Sequence, residues 1–421
     1  MAWRIAALST IWHTIVLPDP FDGSCRRLLH LLASSHASAQ ITGKNYDITE
    51  IIQRVEVDLL EATELLAEEK DSDTAEDSTT DPSALTTDLA AMTDNITTLL
   101  QFVSPLRTLS ILLPQEIESS AAEILTKTAS LPVLDAIVRG VQDANIKELD
   151  MPSPMYCSVS TFPGMLNLIS NLHDLKVLIL GYASRDWPLL KAIISLQSLE
   201  NLCVFDSCWS NQIWIYLLSS LGNRLRGLTV MQGRRPLQGV VLRSGIAPYC
   251  RNLTSISIPF IQLMSGASPV LKDEDLIPVI MACPELQTIN VAGQRLLGDS
   301  VLEVIAELWS LQTLDIRECS RMTGQGIKSV RWQSIQRVRM FGCGELSQEF
   351  MDLVLQAWRS SSARAHRRKL STSGHVSLRF SSVLDFNADV EDPVEMGWVR
   401  QREDEPPLDL DEDHFFAHWC I

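Results

Sequence analysis

The sequence predicts an α/β solenoid, in which stacked turns of one strand and one helix line a parallel sheet on one side and a helical layer on the other. Three observations carry this. First, two consecutive stretches repeat each other, Leu286-Gln287-Thr288-Ile289-Asn290-Val291 and Leu311-Gln312-Thr313-Leu314-Asp315-Ile316, at an offset of 25 residues. A unit that short cannot bury its apolar face alone and needs stacked neighbours. Second, the same frame (apolar, two of any kind, apolar, one of any kind, apolar) recurs through most of the chain. Third, the stretches between frames carry helical spacing.

The frames lie at Leu106/Leu109/Ile111, Ile146/Leu149/Met151, Leu175/Leu178/Leu180, Leu199/Leu202/Val204, Leu225/Leu228/Val230, Leu253/Ile256/Ile258, Leu286/Ile289/Val291, Leu311/Leu314/Ile316 and Ile335/Val338/Met340. From Leu175 onward their first positions are 24, 26, 28, 33, 25 and 24 residues apart. The last two apolar positions of a frame alternate with polar ones, as a half-buried strand requires. Val301, Val304, Ile305 and Leu308 have the spacing of one helix face. Val376/Leu378/Phe380 read as one further strand.

Composition narrows the class. The net charge of -17 is local, because Lys44 to Asp94 carries -12 and Asp385 to Asp413 carries -10, leaving a mildly basic repeat body. Residues 41–94 are therefore an acidic, partly disordered insertion, with Ile51, Val55, Leu59 and Ala62 at helical spacing ahead of the polar run Glu68 to Asp81. Residues 385–421 are an acidic, disordered tail with aromatics at Phe415, Phe416 and Trp419. Nine cysteines spread along the chain read as reduced thiols of an intracellular protein, not a disulfide framework. No apolar run reaches the ~20 residues a membrane span needs.

The frame resembles the leucine-rich repeat, in its cysteine-containing subtype. Cys319 and Cys343 stand three residues after the last apolar position of their frames, where that family has an inward Cys or Asn. Cys250 and Cys283 stand three before the first, and Arg317-Glu318-Cys319-Ser320-Arg321-Met322-Thr323-Gly324-Gln325-Gly326-Ile327 is close to the subtype's consensus. Gln294 and Gly233 depart from it, occupying ladder positions that Cys or Asn fills elsewhere. The resemblance implies a leucine-rich-repeat horseshoe over 95–384, with a concave parallel sheet and convex helices. It also makes Thr323-Gly324-Gln325-Gly326 a strand-to-helix turn.

A second resemblance lies at the start. Met1 to Leu17, with the Trp3-Arg4 pair, Ile5, Leu8 and Trp12, is similar to the end of a fungal-type F-box leading into a first repeat over residues 1–40. The Leu-Pro docking start of that motif is not in this sequence, so either the chain is a truncated version or adaptor binding is lost. The resemblance implies a substrate-recognition subunit of an SCF-type cullin-RING ubiquitin ligase, cytoplasmic or nuclear. Its partners would be a protein substrate and, if the full F-box exists, the adaptor subunit, with the chain monomeric inside the complex. The alternative is a leucine-rich-repeat interaction scaffold with no ubiquitin link.

Side chains between the inward positions of each strand face the other way, so a partner would read them. They grade from acidic (Glu148, Asp150) through apolar (Phe205, Met231) to a basic end at Asp315, Arg317, Arg337, Arg339, Phe341 and Arg379. Guanidinium forks hold carboxylates or phosphates in bidentate fashion, so this end is expected to accept an acidic or phosphorylated segment. Arg359, Arg364, Arg367, Arg368 and Lys369 read as a nuclear import signal or a solvated loop. His414 and His418 have ligand spacing but no catalytic acid beside them. No enzyme activity, metal, cofactor, nucleic acid or membrane is expected.

Overall fold

The computed structural model describes most of residues 163–368 (all but 184–186, 232–235, 261–270 and 344–345), with 14–17, 54–58, 93–101, 106–112, 135–141, 145–151, 379–381, 385–387 and single positions 28, 31, 32, 52 and 103. Trp3, Arg4, Ile5, Leu8 and Trp12 lie outside the described residues, as do the polar run of the acidic insertion and the chain after Asn387.

Thirteen strands among the described residues form one sheet in chain order. They are β1 (Thr14–Leu17), β2 (Arg54–Asp58), β3 (Thr108–Leu112), β4 (Glu148–Met151), β5 (Val177–Ala183), β6 (Asn201–Ser207) and β7 (Gly227–Val230). Then come β8 (Ser255–Ser257), β9 (Thr288–Asn290), β10 (Thr313–Asp315), β11 (Arg337–Arg339), β12 (Arg379–Ser381) and β13 (Asp385–Asn387). Pairing is parallel from β1 to β12, and β13 returns antiparallel to β12. The molecule is thus a repeat-like α/β fold on a parallel sheet.

The frame sets the register. Leu178, Leu202, Leu228, Ile256, Ile289, Leu314 and Val338, each the second apolar residue of its frame, are aligned partners across β5 to β11. None is more than 1 % exposed. A one-residue slip would turn this row to the opposite face, so burial pins the pairing.

Helices lie between the strands: 93–101 (α1), 135–140 (α2), Pro163–Asn171 (α3), Trp187–Ser195 (α4) and Asn211–Leu221 (α5). Gly239–Val241, a π-helical Leu242–Ile246 and Ala247–Tyr249 run on as one broken helix (α6), followed by Asp273–Ala282 (α7), Asp299–Ala306 (α8) and Gln348–Arg368 (α9). Their apolar stripes, such as Trp214, Leu217, Leu218 and Leu221 of α5, join the inward strand residues in one continuous core. Each fully buried Leu or Ile stabilises that core by about 1.5–3 kcal/mol. α8 places Val301 and Ile305 on its buried face, as its spacing predicts.

Thiol and amide ladders tie the repeats together. The Cys319 thiol donates to Val291 O (3.2 Å) and the Cys343 thiol to Ile316 O (3.0 Å). Gln294, the apparent departure from the pattern, does the same job, with its Nε2–H donating to Ile258 O at 2.9 Å. On the helical side Cys250 donates to Leu218 O (3.6 Å) and Cys283 to Cys250 O (3.3 Å). Burial pushes the thiols up, to about 12 for Cys250 and Cys343 and about 11 for Cys283, and raises Cys319 as well, so all four keep the proton that the ladder donates. The six cysteines among the described residues are free.

Three expectations are corrected. Residues 54–58 are strand β2, not part of a helix, and Val55 is fully buried between β1 and β3. Ile52, Val55 and Val57 form one more copy of the frame, and β-branched alternation with a partner on each side outweighs the helical spacing. Arg359, Arg364, Arg367 and Arg368 of the basic cluster are helical, not in a loop, because α9 runs through to Arg368, and Lys369 lies outside the described residues. The rule of one helix per repeat fails between β10 and β11, where no helix occurs and Thr323–Gly326 leads into extended chain.

The reason for that last failure is local. Gly324 and Gly326 sit at φ 69° and 84°, outside helical space. The Asp299 carboxylate at the start of α8 accepts the N–H groups of Thr323 (2.7 Å) and Gly324 (2.7 Å) and the Thr323 hydroxyl (2.6 Å). Trp332 fills the layer in place of a helix: it is buried, its Nε1–H donates to Ile305 O at 2.9 Å, and its ring meets the Phe350 ring edge-on.

Candidate functional site

The sheet register aligns two rows of residues at the positions that alternate with the inward ones. The first runs through Arg54, Thr108, Glu148, Val177, Asn201, Gly227, Ser255, Thr288, Thr313 and Arg337. The second runs through Glu56, Ser110, Asp150, Ile179, Cys203, Thr229, Ser257, Asn290, Asp315, Arg339 and Arg379. The grade from acidic through neutral to basic is present in the second row, whereas in the first Arg54 stands ahead of Glu148. The acidic end is milder than expected, because β2 brings Arg54 to within 3.7 Å of the Asp150 carboxylate. Reading 54–58 as a helix hid that cation.

The basic end is built around one buried carboxylate. Asp315, with its side chain 4 % exposed, accepts the Arg317 Nε–H at 2.8 Å and lies 3.4 Å from Nη1 of Arg339 on the neighbouring strand. Burial removes both oxygens from water, so the two guanidinium groups replace lost hydration. The Arg317 guanidinium also stands over the Phe341 ring, 5.4 Å from its centroid. Burial lowers the Arg339 pKa, Asp315 opposes the shift, and repulsion from Arg317 and Arg337 adds to it. Guanidinium groups stay charged in proteins, so the shift records burial of the cation first and crowding by its neighbours second.

Arg337 differs from its neighbours. It is exposed and forms no ion pair with any described residue. Glu318, the next acid along the chain, reaches Arg295 at 3.6 Å instead. Strand β12 places Arg379 at the register position beside Arg339. Asp315, Arg317, Arg337, Arg339 and Phe341 therefore come together at β10 and β11, and Arg379 shares their register row on β12.

Phe205 and Met231 do not join them. Phe205 on β6 is four strand spacings from β10, roughly 19 Å. Met231 is only 5 % exposed and continues the ladder by donating its N–H to Val204 O at 3.0 Å, which leaves a partner little of it to touch. Pairing of the arginines with Asp315 was the alternative to a partner-binding role that the sequence left open, and it is present for Arg317 and Arg339.

Chemically this arrangement can bind anions. Among the described residues no group of His, Cys, Asp and Glu could hold a metal ion, and no helix is long and apolar enough to cross a membrane. The sequence matches no family model, and no curated protein matches it.

Proposed function

We propose that this chain is a leucine-rich-repeat horseshoe that holds a protein substrate on its concave sheet face, as the substrate-recognition subunit of an SCF-type ubiquitin ligase. The observation that carries the binding half is the open sheet face, with Arg337 exposed above the Asp315 hub. Rigid strands present its side chains in fixed rows, and most of them are not occupied by the core. The ubiquitin half rests on the resemblance of Met1 to Leu17 to the end of an F-box, which runs directly into β1. Such a chain would make and break no bonds. It would raise the local concentration of substrate beside the ligating enzyme, with effective concentrations reaching ~mM for short tethers.

The test is affinity purification of the tagged chain, followed by detection of the ligase adaptor and cullin. Co-purification that Trp3→Ala with Leu8→Ala weakens is the expected outcome. Recovery of protein partners without the adaptor would move the reading to the scaffold, which the open face alone supports.

A further inference from the structure

Three guanidinium groups, those of Arg317, Arg337 and Arg339, stand near the one buried carboxylate of Asp315. Arg317 and Arg339 share the carboxylate of Asp315, and Arg337, exposed beside them, forms no ion pair with any described residue. The chain meets this cluster again at its far end. Asn387, the last residue of β13, is the aligned partner of Arg379, which is the aligned partner of Arg339. Two strand spacings put the exit of β13 roughly 10 Å from Arg339.

Beyond Asn387 the chain is strongly acidic. Residues 388–421 hold eleven Asp and Glu against two Arg, with Asp389 two residues from the exit. The other acidic stretch lies between β2 and β3, and β3 is seven strand spacings from β10, roughly 34 Å. Proximity therefore favours the tail, since effective concentration falls steeply with the span to be bridged.

We infer that the acidic segment after Asn387 occupies the Arg317/Arg337/Arg339 face within the same chain, as a resident ligand that an acidic partner must displace. The Arg337 guanidinium is exposed, so its attraction for carboxylates weakens with salt. Occupancy of this kind raises the threshold for binding and selects partners rich in carboxylates. The inference builds on the sheet face as the partner surface, but its test uses no partner and no ligase, so it can fail while that reading stands.

The probe is a fluorescein-labelled peptide of residues 388–413, titrated by anisotropy into the full-length chain. Three proteins are compared: wild type, a full-length chain with the acids of 389–413 replaced by Asn and Gln, and that neutral-tail chain carrying Arg337→Glu. Arg337→Gln is the milder companion, and Arg337 is exposed, so neither change disturbs the core. The neutral-tail chain should bind the peptide at least about tenfold tighter than wild type, and Arg337→Glu should return it to the wild-type level or below. Equal affinity for wild type and the neutral-tail chain overturns the inference. So does no measurable binding to the neutral-tail chain, or binding that Arg337→Glu leaves unchanged.

Discussion

Oδ1 of Asp315 accepts the Nε–H of Arg317 at 2.8 Å, across two residues of one chain segment and almost out of contact with solvent. With Arg339 on the adjacent strand, this bond divides the arginines into those that complete the fold and one, Arg337, that the fold does not use. Removing one member of a buried charge cluster strands the others.

Asp315→Asn should therefore destabilise the protein by about 3 kcal/mol, in the range for breaking a buried ion pair. Arg337→Gln should stay within about 0.5 kcal/mol of wild type, as exposed substitutions usually do. Urea unfolding followed by circular dichroism checks both. Similar losses in the two variants would refute the division between structural and free arginines.

Gln294 offers a direct trial of the ladder. Its side chain is fully buried and its amide donates to Ile258 O. Gln294→Leu should cost about 1–3 kcal/mol, because that carbonyl then loses its donor away from water. Gln294→Cys should recover part of the loss, since Cys319 and Cys343 make the equivalent bond one and two repeats later. Thermal melts of the three proteins give the ordering.

Two glycines separate backbone strain from steric clash. Gly324 and Gly326 both have positive φ, but a Cβ at Gly324 would sit 2.5 Å from the Phe350 ring, whereas one at Gly326 meets nothing within 4 Å. Gly326→Ala should cost about 1 kcal/mol and Gly324→Ala at least about twice that, judged by the shift in urea midpoint.

The buried thiols predict an alkaline limb. Folding holds the Cys283 proton up to about pH 11, while a cysteine in the unfolded chain releases it near pH 8.5. Between those values the folded state binds more protons, so the contribution of Cys283 is complete below pH 8.5 and is lost as pH rises through 11. The stability difference between wild type and Cys283→Ala should narrow by up to about 1.4 kcal/mol per pH unit in that window. A difference independent of pH would show that burial does not raise this thiol's pKa.

The repeat body was legible because its signal is local and redundant. Each frame, from Leu106/Leu109/Ile111 to Ile335/Val338/Met340, appears in register on a strand of the sheet. Arg337 and Arg339 fall on neighbouring outward positions for the same reason. Less legible was Ile52/Val55/Val57, whose spacing suits a helix as well as a strand and whose acidic flanks resemble a linker. Only the unpaired edges of β1 and β3 resolve that ambiguity, and they lie dozens of residues away.

By itself, the sequence determined the parallel α/β repeat, its inward rows and the order in which charge is laid along the sheet. All of that comes from periodicity, because a strand has only two faces and one of them must be buried. The tertiary structure alone decided which charges are already satisfied, that Trp332 and two glycines stand in for a helix, and that Gln294 takes the place of a cysteine. Those outcomes depend on distances between residues about 24 to 36 positions apart in the chain, which packing creates and sequence spacing does not contain.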